Sequence, residues 1–173
     1  MNECTIQNEF RLAQQGRILG KELSDFFREL KVLPSNGLML AGAEAFTYRG
    51  KSIDMLGLNN VSMAHANPVK TGIKNHASFD KECFYKLAPD IFASTNFYTD
   101  TAGFVLIEKN PMYYDLWFGA LYKFIFNDER FRNNYFPVFI FKQGEKKILH
   151  TYANKNFLNR LDTHYYSYKI IPR

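Results

Sequence analysis

Between Ala41 and Ser94 the chain alternates short apolar runs with polar punctuation, and that rhythm admits few folds. Ser52-Ile53-Asp54-Met55-Leu56-Gly57 reads as a buried strand closed by a glycine, with Leu38 to Ala41 as its companion. Pro34, Ser35, Asn36 and Gly37 interrupt the chain just before them. A polar loop over Gly57 to Ala77 carries two of the four histidines. Ser78 is placed to cap the helix that follows, Asp80 and Glu82 fall in its first turn, and Pro89 ends it. Asp90 to Ser94 then reads as another strand. Strands and helices in this succession predict an α/β fold, with helices laid on the faces of a sheet.

The flanks extend the pattern. Leu12, Gly16, Leu19, Leu23, Phe26, Phe27 and Leu30 recur at spacings of three and four, one face of an amphipathic helix over Glu9 to Leu30. Ala43 to Tyr48 is short enough for one helical turn or two, with Arg49-Gly50 as the turn after it. Phe104 to Glu108 reads as a strand or an extended segment, and Tyr114 to Phe126 as a helix with a broad apolar stripe that includes Trp117. Phe136 to Lys142 is a nearly continuous apolar run. Gln143-Gly144-Glu145 turns the chain, and Ile148 to Tyr152 returns as a hairpin strand. Tyr165 to Ile171 is a last extended segment. The expected architecture is a small mixed, partly parallel sheet with helices on its faces and a C-terminal β-hairpin. It forms one domain over residues 1–173, frayed over residues 1–8.

Composition narrows the function classes. Seventeen Phe and eleven Tyr point to a core built on large rings. The net charge of +5 is scattered along the chain, and no Lys/Arg block supplies a nucleic-acid footprint. A mild positive balance suits an anionic membrane surface or a phosphate-bearing substrate. Cys4 and Cys83 are too few for a metal site, and no CxxC occurs. The start lacks the basic and apolar regions of a signal peptide. The longest apolar stretch, Tyr113 to Phe126, is interrupted by Asp115 and Lys123 and falls short of the ~20 residues a membrane span needs. The chain reads as soluble, as would the soluble domain of a larger protein.

Candidate chemistry gathers after the Ser52–Leu56 strand. Asp54 is a carboxylate inside an apolar run, so it must be bonded or paired. It would bind a ligand at the strand end or cap the following loop through backbone N–H groups. Gly57-Leu58-Asn59-Asn60 is a tight turn, or a pocket whose amides suit a sugar-like ligand. His65 and His76 flank the loop; with Asp54 they would make a metal site or an acid/base pair, or serve as structural hydrogen-bonding residues. Lys70 and Lys74, near Asn75-His76-Ala77-Ser78 and the helix N-terminus, would suit an anion such as a phosphate. No Walker loop, GxSxG, HExxH or GxGxxG is present.

Several of these pieces occur in family order. Ala41-Gly42, Phe46-Thr47-Tyr48-Arg49-Gly50, Ile53-Asp54-Met55-Leu56-Gly57-Leu58-Asn59-Asn60, Ala64-His65, His76 and Pro89-Asp90-Ile91 follow the helix Phe10 to Leu30. This half of the chain resembles the C-terminal soluble domain of bacterial GT-C type membrane glycosyltransferases, of the protein mannosyltransferase and arabinofuranosyltransferase groups. Asn60 stands where that family often has Asp, and Asn75 where it often has Gly before the His. The resemblance implies an enzyme that uses a polyprenyl-phosphate sugar, with its catalytic acid in a membrane part outside this chain. It implies that Asp54, Asn59, Asn60, His65 and His76 bind the acceptor glycan or the lipid-linked sugar. No catalytic residue, metal or cofactor is expected in this domain. The expected partner is the transmembrane part of the same polypeptide, at the periplasmic face of the inner membrane. Two other readings stand beside it: a stand-alone soluble enzyme with an Asp/His acid-base or metal site, and an interaction domain docking through the aromatic helix around Trp117.

Overall fold

A computed structural model describes residues 6–38, 42–66, 79–106, 109 and 125–173. The elements are α1 (Ile6–Phe26), β1 (Asn36–Leu38), α2 (Ala43–Thr47), β2 (Ser52–Asp54), α3 (Val61–Ala66) and α4 (Lys81–Leu87). They continue with β3 (Ile91–Tyr98), α5 (Glu129–Asn134), β4 (Tyr135–Lys142), β5 (Ile148–Asn154), α6 (Lys155–Arg160) and β6 (Tyr166–Ile170). Among the described residues the strands form one sheet in the order β2-β1-β3-β5-β4-β6. The β2-β1-β3 half is parallel, and the β3-β5-β4-β6 half is antiparallel. The fold is therefore mixed α/β and partly parallel, with helices on the sheet faces and a hairpin, β4–β5, in the C-terminal third.

Side-chain alternation along the strands gives each face its own core. One contains Ile53, Phe92, Tyr135 and Tyr152 of the sheet, covered by Met63 of α3, Cys83 and Phe84 of α4, and Phe131 of α5. The other contains Ile91, Val138, Ile140 and Leu149, covered by Leu23 and Phe26 of α1, Phe27, and Phe157 and Leu158 of α6. The rings pack edge-on and tilted, as between Phe26 and Phe27 at 5.1 Å and between Phe84 and Phe92 at 4.9 Å. Cys83 is buried and unbridged, and burial, with Asp80 adding to it, pushes its thiol pKa up.

Several elements differ from expectation for identifiable reasons. β1 starts at Asn36, inside the segment read as a chain break, because Asn36 and Gly37 are held between β2 and β3. The cap of α4 is Asp80, not Ser78: its carboxylate accepts from Cys83 N at 2.7 Å. α3 occupies the stretch read as loop, started by Asn60, whose Oδ1 accepts from Met63 N at 3.2 Å. The short helices α5 and α6 are capped by Asp128 and Asn154. Of the strand and the extended segment open for Phe104 to Glu108, the described Phe104 to Leu106 form no strand, and the Phe104 ring packs on Phe139 and His150 at 4.9 and 4.3 Å. The helix expected over Tyr114 to Phe126 lies outside the described residues except for Ile125 and Phe126, both buried.

The amino ends of the parallel strands are knotted shut. Asp90 Oδ2 accepts from Ser35 N at 2.8 Å, from Ser35 Oγ at 3.0 Å and from Arg160 Nη2 at 2.6 Å. Asn154 N donates to Asp90 O at 2.8 Å, and the Tyr48 hydroxyl donates to Pro34 O at 2.5 Å. One carboxylate thus fastens the approach to β1, the start of β3 and α6 together. The carboxyl ends carry no such knot among the described residues.

Candidate functional site

The carboxyl end of β2 is organised by Asp54, which is 5% exposed. Its Oδ1 accepts from Leu56 N at 2.9 Å and Gly57 N at 3.2 Å, and its Oδ2 from Asn59 N at 2.6 Å. Gly57 takes the left-handed backbone, at φ +80°, that lets the chain curl around the carboxylate. Three backbone donors satisfy a buried charge that would otherwise be costly. Asp54 therefore holds the turn, the loop-capping alternative of the two open for it. Asn59 joins it through its backbone and is exposed. Asn60 spends its side-chain oxygen on α3, and His65 is exposed in the last turn of that helix. The turn brings Asp54, Asn59 and Asn60 together. His76, Lys70, Lys74 and Trp117 lie outside the described residues. Among the described residues no three His, Cys, Asp or Glu side chains converge as a metal would need.

A second place at the same end of the sheet was not legible as a motif. β1 connects to β2 on one side, while β3 continues toward the antiparallel half on the other, so β1 and β3 bracket the point where the winding reverses. Crevices at such points, outside the carboxyl ends of the strands, are where α/β sheets take ligands. Among the described residues β1 pairs with β3 at Asn36↔Ile91 and Gly37↔Phe92. β3 then shifts register against β5 between Phe92 and Asn96, and Ala93 sits in the left-handed region at φ +52°. For alanine that conformation costs roughly 1 kcal/mol, and such strain gathers at functional sites.

Beside this irregular stretch lies a cleft of about 730 Å³. α1 forms one wall with Leu12, Ala13, Ile18 and Leu19; the N-terminal turn of α2 forms another with Gly42, Ala43 and Glu44; Asn96 and Phe97 of β3 complete it. Among the described residues its polar lining is Glu9, Gln15, Glu22, Glu44 and Asn96. Glu44 Oε1 accepts from Asn36 Nδ2 at 2.9 Å, and Glu22 is paired with Lys147 at 2.5 Å. The cleft can thus offer an apolar floor and an acceptor-rich rim, with Lys147 at its border on Glu22 and over the Phe97 ring. Asp54, Asn59 and Asn60 stand at the carboxyl end of β2, whereas the cleft is lined by α1, Gly42–Glu44 and β3. The signal available was Gly42-Ala43-Glu44 directly after a buried strand.

Comparison with protein-family models, with curated proteins and with solved structures finds no match for this chain. Among the described residues no helix is long and apolar enough to cross a membrane.

Proposed function

We propose that this chain is a binding module for a neutral, hydroxyl-rich ligand of the glycan class, held in the cleft between α1, α2 and β3. The observation that carries the reading is the lining of that cleft: carboxylate and amide acceptors around an apolar floor with a half-buried ring, Phe97. Sugars present hydroxyl donors and apolar C–H faces, and such a surface complements both. Among the described lining residues carboxylates and amides predominate, which favours a neutral acceptor glycan over a phosphate-bearing donor. The resemblance to the tails of GT-C type glycosyltransferases supports the same assignment. In that setting the domain stands at the periplasmic face of the inner membrane, and transfer from a polyprenyl-phosphate sugar takes place in a transmembrane part of the same polypeptide. The rival reading, an Asp/His acid-base or metal enzyme, gains no support from Asp54, whose oxygens are engaged by backbone donors.

The test is an amide NMR titration of the purified chain with neutral oligosaccharides and, separately, with a polyprenyl phosphate. Shifts should gather in α1 and at Gly42, Ala43 and Phe97 for the oligosaccharides. Gln15→Ala or Glu9→Gln should weaken binding roughly three- to tenfold, the loss of one hydrogen bond. Shifts centred on Asn59, Asn60 and His65, or a response to the polyprenyl phosphate alone, would remove the cleft from consideration.

A further inference from the structure

Among the described residues β6 is the outer strand of the antiparallel half, and its hydrogen-bonding register shows what the edge facing away from β4 offers. Ile171 N donates to Pro137 O at 2.8 Å, and Gln143 N donates to Tyr165 O at 2.9 Å, each between residues directly opposite in the β4–β6 ladder. Odd-numbered residues of β6 therefore turn their backbone groups toward β4, and even-numbered ones turn theirs outward. Tyr166 N is spent on Asp162 O at 2.9 Å. The N–H and C=O of Tyr168 and Ile170, and the C=O of Tyr166, face away from the sheet. The side chains of Tyr168 and Ile170 are 41% and 47% exposed, on the face that carries Val138 and Ile140. The opposite edge of the sheet, β2, is three residues long and ends in Asp54, so it offers little to extend.

We infer that β6 pairs with β6 of a second copy of this chain, antiparallel about a two-fold axis at Tyr168, joining the two sheets. An outward row of backbone donors and acceptors calls for an extended strand, and the sequence Tyr166-Ser167-Tyr168-Lys169-Ile170 complements itself. With the axis at Tyr168, this residue exchanges both backbone bonds with the partner's Tyr168. Ile170 N–H then reaches the C=O of the partner's Tyr166, and the mirror bond forms as well. Lys169, the one charge in the strand, falls opposite the partner's Ser167. Moving the axis to Lys169 would set two ammonium groups directly across from each other, which is destabilising. Moving it to Ser167 would leave Ile170 unpaired. Charge and bond count thus select one register.

Sedimentation equilibrium of the full chain across a concentration series tests this, with amide hydrogen exchange as a second readout. The chain should dimerise, and exchange at Tyr168 and Ile170 should slow as concentration rises. Tyr168→Pro removes an outward N–H without touching the β4 ladder and should abolish the dimer. Ser167→Lys sets a lysine against the partner's Lys169 and should weaken association roughly two- to thirtyfold, counting both symmetric pairs. Adding Lys169→Asp to Ser167→Lys should restore it. A chain that stays monomeric throughout, a dimer indifferent to Tyr168→Pro, or a double variant as weak as Ser167→Lys alone would each overturn the inference.

Discussion

Asp54 and Asp128 are two partly or wholly sheltered carboxylates that solve the same problem differently. Asp54 is neutralised by backbone dipoles alone. Asp54→Ala leaves three amide donors without their acceptor and should cost about 2–4 kcal/mol in urea unfolding. A loss below ~0.5 kcal/mol would mean the turn holds itself and would return the carboxylate to ligand binding. Asp128 relies on charge. Burial opposes its ionisation, but Lys81 Nζ at 2.6 Å and the Arg130 backbone N–H at 2.8 Å outweigh it. They hold the carboxyl at about 2, against an ordinary 3.8. The unfolded chain therefore takes up the proton first as pH falls. The stabilisation, about 2 kcal/mol, is complete above roughly pH 5 and drains away toward pH 2. Asp128→Asn should flatten the fall of the urea midpoint across that window, and unchanged steepness would place the acid sensitivity elsewhere.

At the scale of elements, α1 and α2 meet unusually closely, and Gly20 sets the distance. Alanine in place of glycine inside a helix ordinarily stabilises by about 1 kcal/mol. Here a Cβ would stand 2.5 Å from Glu44 O and collide with Thr47 Oγ1 as well. The clash outweighs the propensity, so Gly20→Ala should destabilise by about 1–3 kcal/mol in thermal or urea melts. Gly16→Ala, whose Cβ would approach Glu44 N at 3.1 Å, should be closer to neutral. Equal stability for Gly20→Ala and the parent would mean the two helices part in solution. Elements of this kind were legible where pattern and local chemistry agreed. The period of α1, the apolar run and turn of β4–β5, and the stop at Pro89 each declare themselves. α3 did not, because its six residues bury only Met63 and its cap, Asn60, sits in a stretch that also spells a turn. β1 was misplaced because Asn36 and Gly37 are turn formers by propensity and strand residues only by virtue of their neighbours. The cleft was illegible for a stronger reason. It is assembled from α1, the start of α2 and β3, which lie far apart in the chain, and no local pattern encodes it.

For the molecule as a whole, the order of strands differs from the order of synthesis. β5 lies between β3 and β4, so the parallel half gains its inner neighbour only from residues 148–154. Both cores also draw members from β4, β5 and α6 or α5. A chain ending at Asn134 should therefore show no cooperative thermal transition and poor amide dispersion by NMR. A cooperatively folding 1–134 fragment would mean that β2-β1-β3 with α1–α4 is self-sufficient. The same interleaving shapes the protein's birth. While the ribosome is between Tyr98 and Ile148, the strand Ile91–Tyr98 is complete with one side of its ladder open, and both cores lack the members that β5 and α6 supply. Through that interval the nascent polypeptide is a substrate for holdase chaperones and a template for misassociation between neighbouring polysomes. Both hazards end when β5 slots into the vacant lane.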